Sequence, residues 1–160
     1  MSADHCTRRK FILDSTILLV TVTSLSALSS ACDLEEAKRR KRLAHLQIEN
    51  GNIILDLDQR VYFPLHATGN GIKLDLGAQT KPLIVTRVSP GEVAAFSSQC
   101  THAGAEVLLP EQGRLICSSG HGAVFDLRGK VLAGPARSNL DSYEAHLADN
   151  HQKIIVRYFS

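Results

Sequence analysis

The sequence predicts an all-β domain, an antiparallel β-sandwich or small barrel, from Leu46 onward. Two observations support this fold class. Short runs of apolar residues, several of them alternating with polar ones, recur along this part of the chain. Clusters of glycine, proline, asparagine and serine separate these runs, and such clusters form turns. Short strands at this spacing are typical of sandwiches and barrels.

The predicted elements follow chain order. Four strands are expected at residues 53–57, 72–76, 83–88 and 93–96. Turn signals separate these strands or follow them, at residues 69–71, 89–92, 110–113 and 127–129. A short run at residues 114–116 predicts a further strand after the third turn. At the end, runs at 143–147 and 153–158 flank Asp149-Asn150, which predicts a closing hairpin.

Residues 1–32 are predicted to be an export signal. Thr7-Arg8-Arg9-Lys10-Phe11-Ile12-Leu13 resembles the twin-arginine signal, and an apolar stretch follows at residues 12–28. An uncleaved membrane anchor is the alternative, but seven of those 17 residues are Asp, Ser or Thr. A spanning helix needs about 20 mostly apolar residues. Cys32 ends a stretch similar to a bacterial lipobox, so lipidation is a further expectation. We therefore expect an exported, membrane-associated protein on the periplasmic side.

A charged linker is predicted at residues 33–45, which leaves residues 46–160 as the folded domain. The linker contains five consecutive basic residues at positions 38–42. These side chains could lie against anionic lipid headgroups, where each contributes about 1 kcal/mol. A solvated spacer is the alternative interpretation.

The distribution of charge argues against nucleic-acid binding. The chain has a formal net charge of +2, no tryptophan and 5% aromatic residues. Its first 42 residues hold 8 basic and 5 acidic side chains, or +3, which leaves −1 for the rest. Nucleic-acid interfaces usually combine a basic stripe with aromatic platforms, and the folded domain supplies neither.

Two short loops carry the strongest chemical signal. Cys100 and His102 lie in one loop, and Cys117 and His121 lie in the other. Each loop follows a predicted strand, so a single hairpin would bring both loops to the same end of the sheet. An extended Cys-x-His segment would also point both of its side chains the same way. Two thiolates and two imidazoles are the ligand set of a Rieske [2Fe–2S] centre. The same residues also suit a zinc ion, and the two cysteines alone suit a disulfide in an oxidising compartment.

The chain resembles a Rieske domain over residues 83–140. The motifs that carry the resemblance are Cys100-Thr101-His102-Ala103-Gly104, residues 117–121 with the following Gly122-Ala123-Val124-Phe125-Asp126, residues 129–130, and Gly134-Pro135-Ala136. The resemblance implies that Cys100 and Cys117 bind one iron as thiolates, and that His102 and His121 bind the other. It further implies that a loop containing Gly134-Pro135 shields the cluster. The glycines that follow each histidine would let the backbone approach the sulfides.

The chain departs from the family pattern in its second loop. Three residues separate Cys117 from His121, where the family usually has two, so Ser118-Ser119-Gly120 is predicted to bulge. The disulfide of respiratory relatives cannot form, because Ala105 and Ser119 occupy the matching positions. Ala123 replaces a serine that donates a hydrogen bond to a sulfide. Loss of that donor predicts a reduction potential in the lower part of the Rieske range.

Other titratable residues of the domain are predicted to have structural roles. His45, His66, His146 and His151 have no partner at metal-ligand spacing and are expected to be surface or strand residues. Asp126 is either an acceptor behind a ligand loop or a turn former.

The resemblance implies one-electron transfer, by a subunit of an oxidoreductase rather than by an enzyme acting alone. One possibility is the Rieske subunit of a quinol-oxidising complex with a cytochrome b and a c-type cytochrome, in which an exposed ligand histidine contacts quinol. Another is a small exported protein that serves a periplasmic oxidoreductase, such as a molybdenum enzyme. The alternative outside electron transfer is a Rieske-like module that has lost its cluster, or one that binds zinc.

Overall fold

A computed structural model gives the structure of residues 46–77 and 80–158. Within these ranges the chain forms ten β-strands and one 3₁₀ helix. The strands are β1 (Gln47–Glu49), β2 (Asn52–Asp56), β3 (Gly71–Leu74), β4 (Leu83–Ser89), β5 (Glu92–Ser97), β6 (Arg114–Ile116), β7 (Val124–Asp126), β8 (Val131–Ala133), β9 (Ser142–Ala148) and β10 (Lys153–Arg157). The helix, Arg60–His66, lies between β2 and β3.

The strands form a seven-stranded sheet and a three-stranded sheet. The order of the large sheet is β1-β2-β10-β9-β5-β4-β3, and that of the small sheet is β6-β7-β8. Every pair of neighbouring strands is antiparallel. Ile53 of β2 and Ile72 of β3 belong to the same hydrophobic cluster, although these strands lie toward opposite edges of the large sheet. The sheet must therefore curl around this first core, which confirms the predicted all-β fold.

β4 is buried on both faces because it separates two hydrophobic cores. Successive side chains of a strand point to opposite faces. Leu83 and Val85 accordingly belong to the first core, whereas Ile84 belongs to a second core that also contains Leu115 of β6 and Phe125 of β7. All five side chains are fully buried. The second core therefore attaches the small sheet to the large one.

The predicted strands agree closely with the observed β2 to β6, β9 and β10. The helix Arg60–His66 and the short strands β1, β7 and β8 were not predicted. Tyr62 and Leu65 anchor the helix in the first core, so tertiary packing holds a segment that contains Pro64 and has little helical signal of its own.

The predicted signal at residues 1–32 and linker at residues 33–45 lie outside the described residues. Within residues 46–77 and 80–158, no helix has the length and apolar character needed to cross a membrane.

Replacement of Phe125 tests the second core. Phe125 is 0% exposed, and Phe125→Ala should destabilise the domain by about 3 to 5 kcal/mol because a cavity would remain. Phe63 is 71% exposed and provides a control for the same chemical change; Phe63→Ala should cost less than about 1 kcal/mol. Urea unfolding of the two variants measures both effects. Equal losses of stability would contradict this account of the core.

Candidate metal centre

The first ligand loop begins three residues after β5 and is closed by its own backbone. The Cys100 N–H donates to the Ala105 carbonyl at 2.7 Å, and the Gly104 N–H donates to the Cys100 carbonyl at 2.8 Å. The prediction of an extended Cys-x-His segment was therefore wrong, because these two hydrogen bonds fold residues 100–104 into a turn. Cys100 is buried and His102 is exposed.

The second ligand loop is hydrogen-bonded to the segment that follows the first loop. The Ser118 N–H donates to the Glu106 carbonyl at 2.8 Å, and the Leu108 N–H donates to the Ile116 carbonyl at 2.9 Å. The predicted hairpin is therefore present. Its first arm pairs through the isolated bridge Val107↔Cys117 rather than as a regular strand. Within the second loop, the Cys117 N–H donates to the Ala123 carbonyl at 3.0 Å and closes the loop around residues 118–122.

The lengthened second loop contains a left-handed residue at Gly120. This glycine has φ of +73°, in the left-handed region that residues with a side chain rarely adopt. The chain turns at residues 118–120, the segment that was predicted to bulge. His121 still faces His102 across the gap between the loops.

The two histidines present their Nδ1 atoms to each other. These nitrogens are 3.4 Å apart, and the ring planes lie at 79°. Hydrogen bonds from nitrogen donors are usually shorter, about 2.7 to 3.2 Å. Two imidazole nitrogens bound to one tetrahedral metal at about 2.0 to 2.1 Å would lie about 3.4 Å apart. The separation therefore fits two ligands of one metal ion.

The two cysteines form a second pair, which is buried. Cys100 is 2% exposed, Cys117 is 3% exposed, and both are free thiols rather than a disulfide. Burial raises the pKa of Cys100, since it disfavours the charged thiolate. Burial also acts on Cys117, but hydrogen bonds from the Ser119 hydroxyl and backbone N–H, and from the Cys100 thiol, lower the pKa of Cys117. The environment therefore favours a thiolate at Cys117, which is the form that binds metal.

A third loop packs against both ligand loops. A Cβ atom on Gly134 would lie only 2.6 Å from the Cα of Ala123 and would also overlap the Gly122 carbonyl, so only glycine fits at this approach. The Thr101 hydroxyl donates to the Ser138 carbonyl at 2.7 Å and joins the same loop to the first ligand loop. The loop predicted from Gly134-Pro135 therefore contacts both sides of the site.

An open groove of about 640 Å³ lies beside His102. Its lining residues are Thr101, His102, Gly134, Pro135, Arg137 and Ser138. Arg137 is exposed and has no hydrogen bond or ion pair within the described part of the chain. The sequence analysis did not single out Arg137, although its charge is unusual among the neutral residues of the three loops.

The four predicted ligands thus form two pairs rather than one set. Within residues 46–77 and 80–158, no group of three or more Cys, His, Asp or Glu side chains is arranged around a single metal position. A buried thiol pair beside an exposed imidazole pair matches the ligands of a two-iron centre with Cys on one iron and His on the other.

The remaining histidines and Asp126 lie in structural positions. The His66 Nε2 lies 2.8 Å from the Leu57 carbonyl, whereas His146 in β9 and His151 in a turn are exposed. His45 lies outside the described residues. Asp126 accepts hydrogen bonds from the backbone N–H groups of Arg128 at 2.8 Å and Lys130 at 2.9 Å, so it is a turn former.

Comparison with known proteins agrees with this geometry. The Rieske [2Fe–2S] domain family matches residues 65–144, which is half of the chain. The cytochrome b6-f complex iron-sulfur subunit of Chlorobaculum tepidum is 35% identical over 66 residues, which cover 41% of this chain and 35% of that protein. The chain therefore matches about a third of the length of this curated relative.

Two solved structures are also similar. The plasma-membrane Rieske protein of the cyanobacterium Synechocystis PCC 6803 has 31% sequence identity and a TM-score of 0.45, over 52% of this chain and 84% of that one. The ferredoxin of carbazole 1,9a-dioxygenase from Nocardioides aromaticivorans IC177 has 23% identity and a TM-score of 0.45, over 57% of this chain and 88% of that one.

The family match includes both ligand loops and the loop that contains Gly134. The chain belongs to the Rieske [2Fe–2S] domain family.

Proposed function

We propose that this protein transfers single electrons through a [2Fe–2S] cluster held by Cys100, Cys117, His102 and His121. The observation that carries the proposal is the facing pair of histidine Nδ1 atoms, 3.4 Å apart, beside the buried pair of free cysteines. Cys100 and Cys117 would hold one iron, and His102 and His121 the other. When bound, the cluster supplies reversible one-electron reduction.

The residues around the ligands shield the cysteines from water and leave the histidines accessible. The cysteines lie in the second core with Phe125, where apolar side chains exclude water. The histidines are exposed at the end of the loops, so a partner reaches the centre from their side. Backbone hydrogen bonds hold the second ligand loop in place, which would limit the movement of the ligands during electron transfer.

The proposed partner is a redox protein of the periplasmic side, with quinol as a possible donor. The relative from Chlorobaculum tepidum is by name a subunit of a cytochrome b6-f complex, which supports a cytochrome complex as the partner. Export and membrane association are proposed from the twin-arginine-type segment at residues 1–32, with Cys32 as the proposed lipidation site. The groove beside His102 would accept a quinol hydroxyl at the imidazole, or a carboxylate of a partner protein at Arg137.

A periplasmic oxidoreductase is the second candidate partner. It is favoured by the absence of the loop disulfide at Ala105 and Ser119 and by Ala123, since both features differ from the respiratory pattern described above. Purification from solubilised membranes distinguishes the two candidates. Haem b in the purified complex would support the quinol-oxidising complex, and molybdenum would support the oxidoreductase.

Removal of a ligand tests the centre itself. The anaerobically purified wild-type protein should contain two irons per chain and, after reduction with dithionite, give a rhombic electron paramagnetic resonance spectrum with a low average g-value. His121→Ala and Cys117→Ser should lose both the iron and the signal. His151→Ala, which changes an exposed histidine of a turn, should retain both.

Wild-type protein that contains one zinc, or no metal, would contradict the electron-transfer proposal. It would support the zinc-binding or cluster-free module instead.

The reduction potential tests the consequence of Ala123. Its side chain is fully buried beside the Cys117 loop and offers no hydroxyl donor. Because a missing donor disfavours the more negative reduced state, protein-film voltammetry should give a potential in the lower part of the range from roughly −150 to +300 mV. A value near the upper limit would refute this expectation.

Replacement of the arginine pair tests export. A variant with Arg8→Lys and Arg9→Lys should remain in the cytoplasm, because the twin-arginine route requires the paired guanidinium groups. A variant with Arg39→Lys and Arg40→Lys makes the same change in the predicted linker and should be exported normally. Cell fractionation followed by immunoblotting measures the distribution. Unchanged export of the first variant would exclude this route.

A further inference from the structure

We infer that Ser119 raises the reduction potential of the centre by donating its hydroxyl hydrogen to the sulfur of Cys117. The Ser119 Oγ lies 3.1 Å from the Cys117 Sγ, within hydrogen-bond distance of a sulfur atom. Cys117 is 3% exposed, and Ser119 is partly buried. This inference rests on the proposed function, because it concerns the cysteine that would bind iron.

The direction of the hydrogen bond follows from the chemistry of the two atoms. A metal-bound cysteine is a thiolate, which has no hydrogen to donate. The serine hydroxyl can donate one hydrogen and rotates freely to do so.

The neighbouring serine of the same loop is arranged differently. The Ser118 backbone N–H donates to the Glu106 carbonyl at 2.8 Å, and its side chain is exposed. Ser118 therefore holds the two loops together through its backbone, and its hydroxyl has no contact with the ligand sulfur among the described hydrogen bonds. Ser118 and Ser119 can therefore be compared by mutagenesis, because the Ser119 hydroxyl contacts the sulfur of Cys117 and the Ser118 side chain is exposed.

Reduction would make the whole cluster more negative by one charge, and the sulfur of Cys117 would share in that change. A hydrogen bond to a charged acceptor is stronger than one to a neutral acceptor, and a buried site screens this difference only weakly. The Ser119 hydroxyl therefore stabilises the reduced state more than the oxidised state. Hydrogen bonds to the sulfurs are among the factors that set the potentials of iron–sulfur centres.

The position of Ser119 in the sequence explains why a hydroxyl donor is present beside Cys117. Ser119 lies in the lengthened segment between Cys117 and His121, four residues before Ala123, which offers no hydroxyl. The lengthened segment thus brings a hydroxyl donor to the sulfur of Cys117. Ser119 offsets part of the loss at Ala123.

The test compares Ser119→Ala, Ser119→Thr and Ser118→Ala in the full chain, anaerobically purified with its cluster. Protein-film voltammetry gives the potential, and iron content with electron paramagnetic resonance confirms an intact centre. Ser119→Ala should lower the equilibrium constant for reduction by up to about tenfold, which corresponds to about 59 mV for one electron. Ser119→Thr keeps a hydroxyl and should recover most of the wild-type potential. Ser118→Ala should match the wild type.

Equal potentials for wild type and Ser119→Ala, with two irons in each, would overturn this inference and leave the proposed function intact. Wild-type protein without iron would overturn both. If Ser119→Ala does not retain iron, Ser119→Gly removes the hydroxyl without leaving a methyl group and replaces it in the comparison. Loss of iron from both variants, with Ser119→Thr intact, would assign the hydroxyl to cluster assembly and overturn its role in the potential.

Discussion

The rest of the site depends on one constraint. Backbone hydrogen bonds hold the second ligand loop against the segment that follows the first loop. The bond from the Ser118 N–H to the Glu106 carbonyl fixes the second loop against the segment that follows the first. It does so one residue after Cys117, so backbone contacts help to hold the sulfur end of the site in place. Respiratory relatives, as described above, join these loops with a disulfide. Here the hairpin pairing and the third loop around Gly134 connect them instead.

The double-sided burial of β4 gives those loops a rigid base. One face of the strand closes the first core, and Ile84 on the other face packs in the second core with Cys100 and Cys117. The thiol pair is thus part of a hydrophobic core rather than an addition to its surface. Movement of the cysteines would disturb packing that contributes to the stability of the domain, since buried side chains interdigitate at high density. The histidines lack this restraint and are accessible to a partner.

The sequence predicted most of the large sheet because alternation of apolar residues depends on one buried face. It was less informative where tertiary contacts decide the structure. The helix Arg60–His66 contains Pro64 and is held by Tyr62 and Leu65, a pattern that local propensity does not reveal. For the site, the four candidate ligands were recognisable from type and spacing. The turn at residues 100–104 was not, because the hydrogen bonds that close it join backbone atoms, which the side-chain pattern does not report.

The second loop shows how a local change in length can leave a site intact. An extra residue between Cys117 and His121 would displace the histidine if the added length were spread along the loop. The Cys117 N–H nevertheless donates to the Ala123 carbonyl at 3.0 Å, and the chain between these residues turns through two left-handed glycines, Gly120 and Gly122. The Ser119 hydroxyl lies in the same loop, 3.1 Å from the Cys117 sulfur. One loop therefore carries both a member of the histidine pair and the hydroxyl that contacts the cysteine pair.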